Sequence, residues 1–155
     1  MALKVWEFIS ILLSATTAGM FVGPWLALTR SFRTFEPEPF LAVTRRLNEN
    51  MSAVMTPLMP VSLLSIVPVL VLSYGAQPAL FFLNLLGLAL FITALLVTML
   101  VEVPKVLQMV SWSASALPGN WQEVRDSWVS FHIVRVVASL VGLALLLAGA
   151  IFLTP

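Results

Sequence analysis

Four long apolar stretches divide the sequence, at about residues 5–28, 53–74, 79–101 and 131–153. Each is close to the roughly 20 residues that an α-helix needs to cross the hydrocarbon core of a bilayer. The first stretch contains Glu7 and is not followed by a small-residue cleavage site, which favours a retained span over a removed signal peptide. The pattern predicts an all-α, four-transmembrane-helix bundle that forms a single integral membrane domain over residues 1–155.

The connections between the spans differ in length and polarity. After Pro39, the first connection has apolar residues at near-helical spacing, which predicts a short amphipathic helix on the membrane surface between helices 1 and 2. The second connection, S-Y-G-A-Q-P, predicts a tight turn. In the third connection, residues 106–116 predict a helical extension before helix 4. Asn120 and Glu123 then match a capping box for the last helix.

Glycines and prolines inside the spans lead to two further expectations. Gly19 and Gly23 form a small-xxx-small pair, which is typical of close contact between membrane helices. Pro57, Pro60 and Pro68 fall within the second span and predict an irregular helix there, because each proline removes a backbone hydrogen bond.

Composition supports a membrane protein and excludes several other classes. The 155 residues are 60% hydrophobic and only 10% charged, whereas soluble domains have about 25% charged residues, and the mean hydropathy is +1.02. The net charge is only +1, which argues against the dense basic patch of a nucleic-acid-binding protein. With no cysteine and one histidine, a metal or haem site would need His132 with carboxylates, or with copies from a homo-oligomer.

Basic residues are concentrated in two of the three connections. The first connection holds Arg30, Arg33, Arg45 and Arg46, and the third holds Lys105 and Arg125. Lys4 is the only basic residue on the opposite side. By the positive-inside rule, this distribution predicts a multi-pass protein with both termini outside and loops 1 and 3 in the cytoplasm.

The start of the fourth helix carries the densest group of polar and aromatic side chains. Residues 121–135 read W-Q-E-V-R-D-S-W-V-S-F-H-I-V-R, and helical spacing places five of them on one face. We call these five the polar stripe: Trp121, Arg125, Trp128, His132 and Arg135. Ionisable groups inside a membrane must be paired or face a cavity. Because Glu102 ends the neighbouring third span, we predict a Glu102–Arg135 ion pair with His132 beside it and tryptophans at its rim.

A family resemblance rests on these residues. The segment V-E-V-P, then Trp112, then L-P-G-N-W-Q-E-V-R-D-S-W-V-S-F-H-I-V-R resembles the signature of the anthrone-oxygenase-like family of small four-helix membrane proteins. Pro104 and Trp112 match its first half, and the polar stripe matches its second. An asparagine that the family carries soon after the proline is absent here. The resemblance implies a cofactor-independent oxygenase that oxidises an anthrone to an anthraquinone.

Such a reaction needs a base for the methylene proton, a cation for the enolate oxygen and an apolar aromatic pocket. We expect His132 to be the base, with an ordinary pKa of about 6.5 that suits the task. Arg135 or Arg125 would stabilise the enolate, and Glu102 completes the catalytic set. Residues expected to contact the substrate are Trp112, Trp121, Arg125, Trp128 and Thr98. We expect no cofactor and no nucleic-acid partner. The expected partners are a hydrophobic small molecule and membrane lipid, and the sequence is compatible with a homo-oligomer.

Non-catalytic functions fit the same residues. The polar end can hold an amphipathic ligand, a quinone or a lipid headgroup, as in a binding or carrier protein, and the long loops can dock a partner, as in an assembly subunit. In those cases the tryptophans are interfacial anchors, the Glu102–Arg135 pair is a structural clamp and His132 is a helix–helix hydrogen-bonding group. A transporter is disfavoured, because four spans without an internal repeat make a poor alternating-access machine.

Overall fold

The computed structural model describes residues 1–154 and contains four helical stretches long and apolar enough to cross a membrane. Within these residues the β structure is limited to an isolated bridge between Ser113 and Ala116. The predicted all-α four-helix bundle is therefore confirmed, and the chain is an integral, multi-pass membrane protein. Its elements are α1 (Ala2–Ala27), a 3-10 segment (Thr29–Thr34), α2 (Pro37–Ser73), α3 (Pro78–Val97), a π-helical turn (Thr98–Glu102), α4 (Val103–Val110) and α5 (Trp121–Phe152).

Helix α2 is longer and more regular than predicted. It begins with Pro37 at its first turn, where a missing N–H is harmless, and runs without a break for 37 residues. The amphipathic segment is therefore the first part of α2 and not a separate helix. The prediction of an irregular second span is also wrong. Pro57 and Pro60 are exposed and Pro68 is half-buried, so their rings lie largely outside the bundle interior and the flanking hydrogen bonds keep the helix continuous.

The irregularity lies instead at the end of α3. There the N–H of Val103 bonds to the carbonyl of Thr98, five residues back, which widens the helix by one residue. Pro104 follows directly, and a proline in a helix has no N–H and clashes with the carbonyl four residues before it. A π-helical turn relieves such a clash and is frequent at functional sites. It places Glu102 at the junction of α3 and α4.

Helix α4 is shorter than the predicted extension over residues 106–116, since it ends at Val110. Side chains donate to several of the carbonyls at and just after this helix end. Ser111 Oγ donates to the carbonyl of Gln108 at 2.7 Å, and Arg45 of α2 donates to the carbonyls of Val110 and Trp112. Arg45 thus ties the amphipathic half of α2 to the end of α4.

Helix α5 begins at Trp121, ten residues before the predicted span, and so contains the whole polar stripe. Asn120 occupies the N-cap position as predicted, but its side chain makes no capping hydrogen bond. Its backbone angles (φ −99°, ψ 15°) lie outside the extended region in which an N-cap side chain reaches the helix N–H groups. The predicted capping box is therefore not formed.

Two glycines allow helices α3 and α5 to approach each other closely. A Cβ at Gly142 would lie 3.1 Å from the carbonyl oxygen of Gly87, and a Cβ at Gly87 would lie 3.2 Å from that of Gly142. The two backbones are therefore in direct contact. By contrast, a Cβ at Gly19 or Gly23 would meet no heavy atom within 4 Å among the described residues. The small-xxx-small pair of α1 therefore makes no close helix contact among the described residues.

Gly142→Ala is expected to lower the thermal stability of the purified protein, because the new methyl group meets backbone and the ring of Phe91, neither of which yields easily. Gly19→Ala is the matched control and is expected to be neutral or slightly stabilising. Thermal unfolding of both variants in the same detergent checks this. Equal melting temperatures would contradict the close α3–α5 contact.

Two clusters of buried side chains enclose the site. The first, which we call the aromatic end cluster, joins the loops to α2, α4 and α5 and consists of Phe32, Phe40, Leu41, Met109, Trp128 and Val129. The second lies deeper and consists of Phe21, Met59, Ala94, Val136 and Ala138. The predicted site residues Thr98, Glu102, His132 and Arg135 lie between these two clusters.

Candidate functional site

Glu102 is the central charged group of the site. Its side chain is 3% exposed, and its Oε2 lies 2.9 Å from Arg135 Nη2. The predicted Glu102–Arg135 ion pair is therefore present. Neither carboxylate oxygen accepts a hydrogen bond of normal geometry from a described residue. A buried carboxylate ordinarily has its acceptor sites filled, so Glu102 retains the capacity to accept a proton or a hydrogen bond from a bound molecule.

Arg135 connects Glu102 to three other groups. Its Nε donates to His132 Nδ1 at 3.0 Å, and its Nη1 donates to Thr98 Oγ1 at 3.4 Å. The guanidinium carbon lies 4.7 Å from the centre of the Phe21 ring, within the range of a cation–π interaction. Three helices therefore fix the position of this cation, which is held beside the Glu102 carboxylate.

His132 is fully engaged by the protein. Its Nδ1 accepts from Arg135, and its Nε2 lies 3.2 Å from the carbonyl oxygen of Phe21 in α1. We assign the neutral ring with its proton on Nε2, because the arginine donors reach Nδ1, whereas Glu102 Oε2 is 3.6 Å away, too far for a hydrogen bond. The ring also stacks on Trp128, with centroids 5.5 Å apart. His132 thus has no nitrogen lone pair left for a substrate.

A cavity of about 630 Å³ lies against these residues. This volume falls within the range of small-molecule sites. Its walls come from the end of α1, the start of the 3-10 segment, residues 44–60 of α2, the end of α3 with the α3–α4 junction, and α5. The polar lining residues are Thr29, Thr44, Asn48, Ser52, Thr56, Thr98, Glu102, His132 and Arg135, and much of the remainder is formed by Met51, Met55, Met59 and Met99.

The cavity opens between α2 and the α3–α4 junction. Exposed residues line the cavity on both sides of this opening. Ser52 and Thr56 lie on the α2 side, and Met99 and Leu107 lie on the other side. The opening therefore lies on the side of the bundle and not along its axis. Methionine side chains are flexible and apolar, so they adapt to ligands of different shape.

Trp128 is the only tryptophan that lines this cavity among the described residues. It is 7% exposed and lies between two rings, since it stacks on His132 and also on Phe32, with centroids 5.8 Å apart. It is a rigid wall between the polar site and the aromatic end cluster.

The structure places three predicted substrate contacts elsewhere. Trp112 and Trp121 pack around the aromatic end cluster and do not line the cavity. Arg125 is buried, pairs with Asp126 at 2.8 Å and lies over the Trp121 ring. Trp121 and Arg125 share the helical face of His132 and Arg135 on α5, but they lie closer to the helix start, where the loops and α4 cover that face. They stabilise the loop end of the bundle.

Sequence reasoning missed part of the cavity wall. The methionines at positions 51, 55 and 59 have the four-residue spacing of one helical face, which is the signal that could have found them. Thr29, Thr44 and Asn48 gave no signal of their own, because all three precede the predicted second span. Thr44 and Asn48 fell in the amphipathic helix expected on the membrane surface.

Two side chains of the site are able to ligate a metal, His132 and Glu102. Residues 1–154 contain no cluster of three or more His, Cys, Asp or Glu side chains that could hold an ion. Protein sites for zinc usually have three or four such ligands. One copy of this chain therefore supplies an incomplete set, and both nitrogens of His132 already have protein partners.

The comparisons with known proteins give one finding about relatedness. The model of the anthrone oxygenase family matches residues 46–145, well over half of the chain. The match includes Thr98, Glu102, Trp128, His132 and Arg135. Searches of the curated proteins and of the solved structures found no significant match. On the extent of the family match, this chain belongs to the anthrone oxygenase family.

Proposed function

We propose that this protein is a membrane oxygenase that oxidises a hydrophobic aromatic compound of the anthrone type with O₂. The observation that carries the proposal is Glu102, a buried carboxylate at the wall of a cavity of ligand size: its Oε2 is paired with the fixed cation of Arg135, and its Oε1 has no partner among the described residues. Family membership supports the reaction class.

The chemistry needs a base and a cation. The carboxylate of Glu102 removes one proton from the methylene group, and the C–H electron pair moves towards the carbonyl oxygen to give an enolate. The carbanion carbon then forms a C–O bond to O₂, which is reduced to a peroxide and protonated. Loss of the second C–H proton and cleavage of the O–O bond give the quinone carbonyl and one water. The electron-rich enolate supplies the electrons for this reduction, so no added reductant is required.

Arg135 is suited to stabilise the enolate oxygen, and Thr98 helps to hold it in place. A guanidinium held by three helices needs little reorganisation as charge develops, which is the principle of electrostatic preorganisation. The Thr98 hydroxyl, which donates to the Ala94 carbonyl at 2.7 Å, helps to fix Arg135 Nη1. Trp128 and the methionines provide the apolar surface for the rings.

Glu102 replaces His132 as the proposed base. The sequence favoured His132, because a lone histidine in a membrane stripe is the obvious proton acceptor. In the structure, Arg135 and the Phe21 carbonyl engage both of its nitrogens. Its role is then to position Arg135 and to support Trp128.

The test is oxygen consumption by the purified protein in detergent, with an anthrone as substrate and anthraquinone formation followed by absorbance. The proposal expects one O₂ consumed for each quinone formed, at a rate well above the spontaneous oxidation measured without protein. Metal analysis and a chelator on the same sample test the expected absence of a cofactor. A rate equal to the spontaneous one across a series of anthrones would overturn the proposal.

His132→Gln is expected to retain activity within about tenfold of the original protein, since a positioning residue contributes less than a general base, whose removal costs about 100-fold or more. Glutamine keeps one donor and one acceptor. The pH dependence of the rate is expected to keep its shape in this variant. Complete loss of activity in a folded His132→Gln protein would restore His132 as the base.

A non-catalytic binder of hydrophobic ligands is the second candidate. The side opening of the cavity favours it, because a lipid-soluble molecule reaches this opening from the bilayer whether or not it reacts. The binder predicts saturable binding of the anthrone without oxygen consumption, so the same assay distinguishes the two functions.

We also infer that the site lies at the cytoplasmic end of the bundle. The support is the concentration of arginine and lysine in the two loops that flank it. Accessibility labelling of single cysteines, introduced into this cysteine-free chain at residues 50 and 115, tests this orientation.

A further inference from the structure

The cavity has a second polar region, away from Glu102. Thr29, the first residue of the 3-10 segment, lines the cavity and is fully buried. Its hydroxyl has no hydrogen-bond partner among the described residues. An unpaired hydroxyl in a buried position costs free energy, and native proteins rarely leave a buried hydroxyl without a hydrogen-bond partner.

Two side chains of α2 line the same cavity one helical turn apart, Thr44 and Asn48. Thr44 is buried and donates its own hydroxyl proton to the carbonyl of Phe40 at 2.8 Å, so its oxygen remains an acceptor. The amide of Asn48 offers both donors and an acceptor. None of the three side chains is ionised, so the region suits a neutral polar group.

The aromatic end cluster places Thr29 and Thr44 near each other. Thr29 precedes Phe32 by one turn, Thr44 follows Phe40 by one turn, and these two rings are in edge contact at 5.4 Å. Phe32 stacks on Trp128, so Thr29 and Thr44 lie near Trp128 along the axis of α5. Arg135 is seven residues further along α5, or about 10 Å, which leaves room for the path from the central-ring oxygen of an anthrone to a substituent on an outer ring, with a hydrogen bond at each end.

We propose that Thr29, Thr44 and Asn48 form a hydroxyl-binding subsite, which recognises a neutral hydroxyl or carbonyl group at the end of the aromatic ligand remote from Glu102. The proposal rests on the proposed function for the identity of the ligand. It makes Thr29 a specificity-determining residue and predicts that hydroxylated ring systems are preferred to bare ones.

The test uses two quinones that are already oxidised and so do not turn over. Dissociation constants of 2-hydroxyanthraquinone and unsubstituted anthraquinone are measured by quenching of tryptophan fluorescence in lipid nanodiscs, with empty nanodiscs as the baseline for partitioning. The original protein is expected to bind the hydroxylated compound about tenfold more tightly, the effect of one buried hydrogen bond. Thr29→Val is expected to bring the ratio of the two dissociation constants close to one, because it weakens the binding of the hydroxylated compound only.

Thr16→Val is the matched control, because Thr16 is exposed outside the cavity and its hydroxyl already donates to the carbonyl of Leu12 at 2.8 Å. It is expected to keep the tenfold ratio. Thr29→Val is also expected to keep or raise the melting temperature, since the lost hydroxyl has no partner among the described residues, so misfolding does not explain its effect.

The outcomes separate this proposal from the proposed reaction. A ratio of one in the original protein, an unchanged ratio in Thr29→Val, or no binding of either quinone would overturn the subsite. If the protein binds the hydroxylated quinone more tightly but does not oxidise anthrones, the subsite is supported and the proposed reaction is excluded. If the protein oxidises anthrones but binds the two quinones equally well, the reaction is supported and the subsite is excluded.

Discussion

Glu102→Gln is expected to lower the rate of anthrone oxidation at least about 100-fold, the usual contribution of a general base. Glutamine has nearly the same shape as glutamate and can still lie beside Arg135, but it cannot take a proton from a methylene group. The enolate therefore does not form at a useful rate. Because the cavity wall keeps its volume, the variant is expected to bind 2-hydroxyanthraquinone as the original protein does.

The measurement compares initial rates of oxygen uptake in the two proteins, after subtraction of the spontaneous rate. Glu123→Gln is the matched control, because Glu123 is exposed in the first turn of α5 and is expected to have no effect. A folded, ligand-binding Glu102→Gln protein with the original rate would exclude Glu102 as the base. Loss of both rate and binding would instead indicate a structural role for this carboxylate.

The Glu102–Arg135 pair could be predicted from the sequence because two simple rules converge on it. Helical spacing put Arg135 and His132 on one face, and antiparallel neighbouring spans put Glu102 at the same depth. Buried charges of opposite sign must then pair. No rule of this kind identifies the Phe21 carbonyl as the partner of His132, since a backbone acceptor on another helix leaves no trace in the sequence pattern.

The errors in the remaining predictions share a physical cause. Hydropathy locates the membrane boundary but not the end of a helix, so α2 and α5 each begin many residues earlier than their apolar spans. Helical periodicity gives the direction of a side chain but not what covers it. Trp121 therefore shares a face with His132 and yet packs against the aromatic end cluster, with Arg125 over its ring, because the loops fold over that part of α5.

Arg135→Met is expected to destabilise the protein by about 3–5 kcal/mol, the usual result of leaving one partner of a buried ion pair alone. The side chain of Glu102 is almost fully buried and that of Arg135 is 13% exposed, so solvent offers little compensation. Arg46→Met is the control. Arg46 pairs with Glu49 at 3.1 Å at an exposed position, and such surface pairs contribute about 0–1 kcal/mol.

The double variant Glu102→Gln/Arg135→Met shows whether the charge left behind is the cause. With both charges removed, no uncompensated ion remains, and the double variant is expected to be more stable than Arg135→Met alone. It does not recover fully, since the arginine contacts to His132, Thr98 and the Phe21 ring are also lost. Unfolding free energies of the four proteins in one detergent give the coupling directly. If the changes in unfolding free energy of the two single variants simply add up to that of the double variant, the carboxylate and the guanidinium are not coupled. That result would contradict the electrostatic basis proposed for the site.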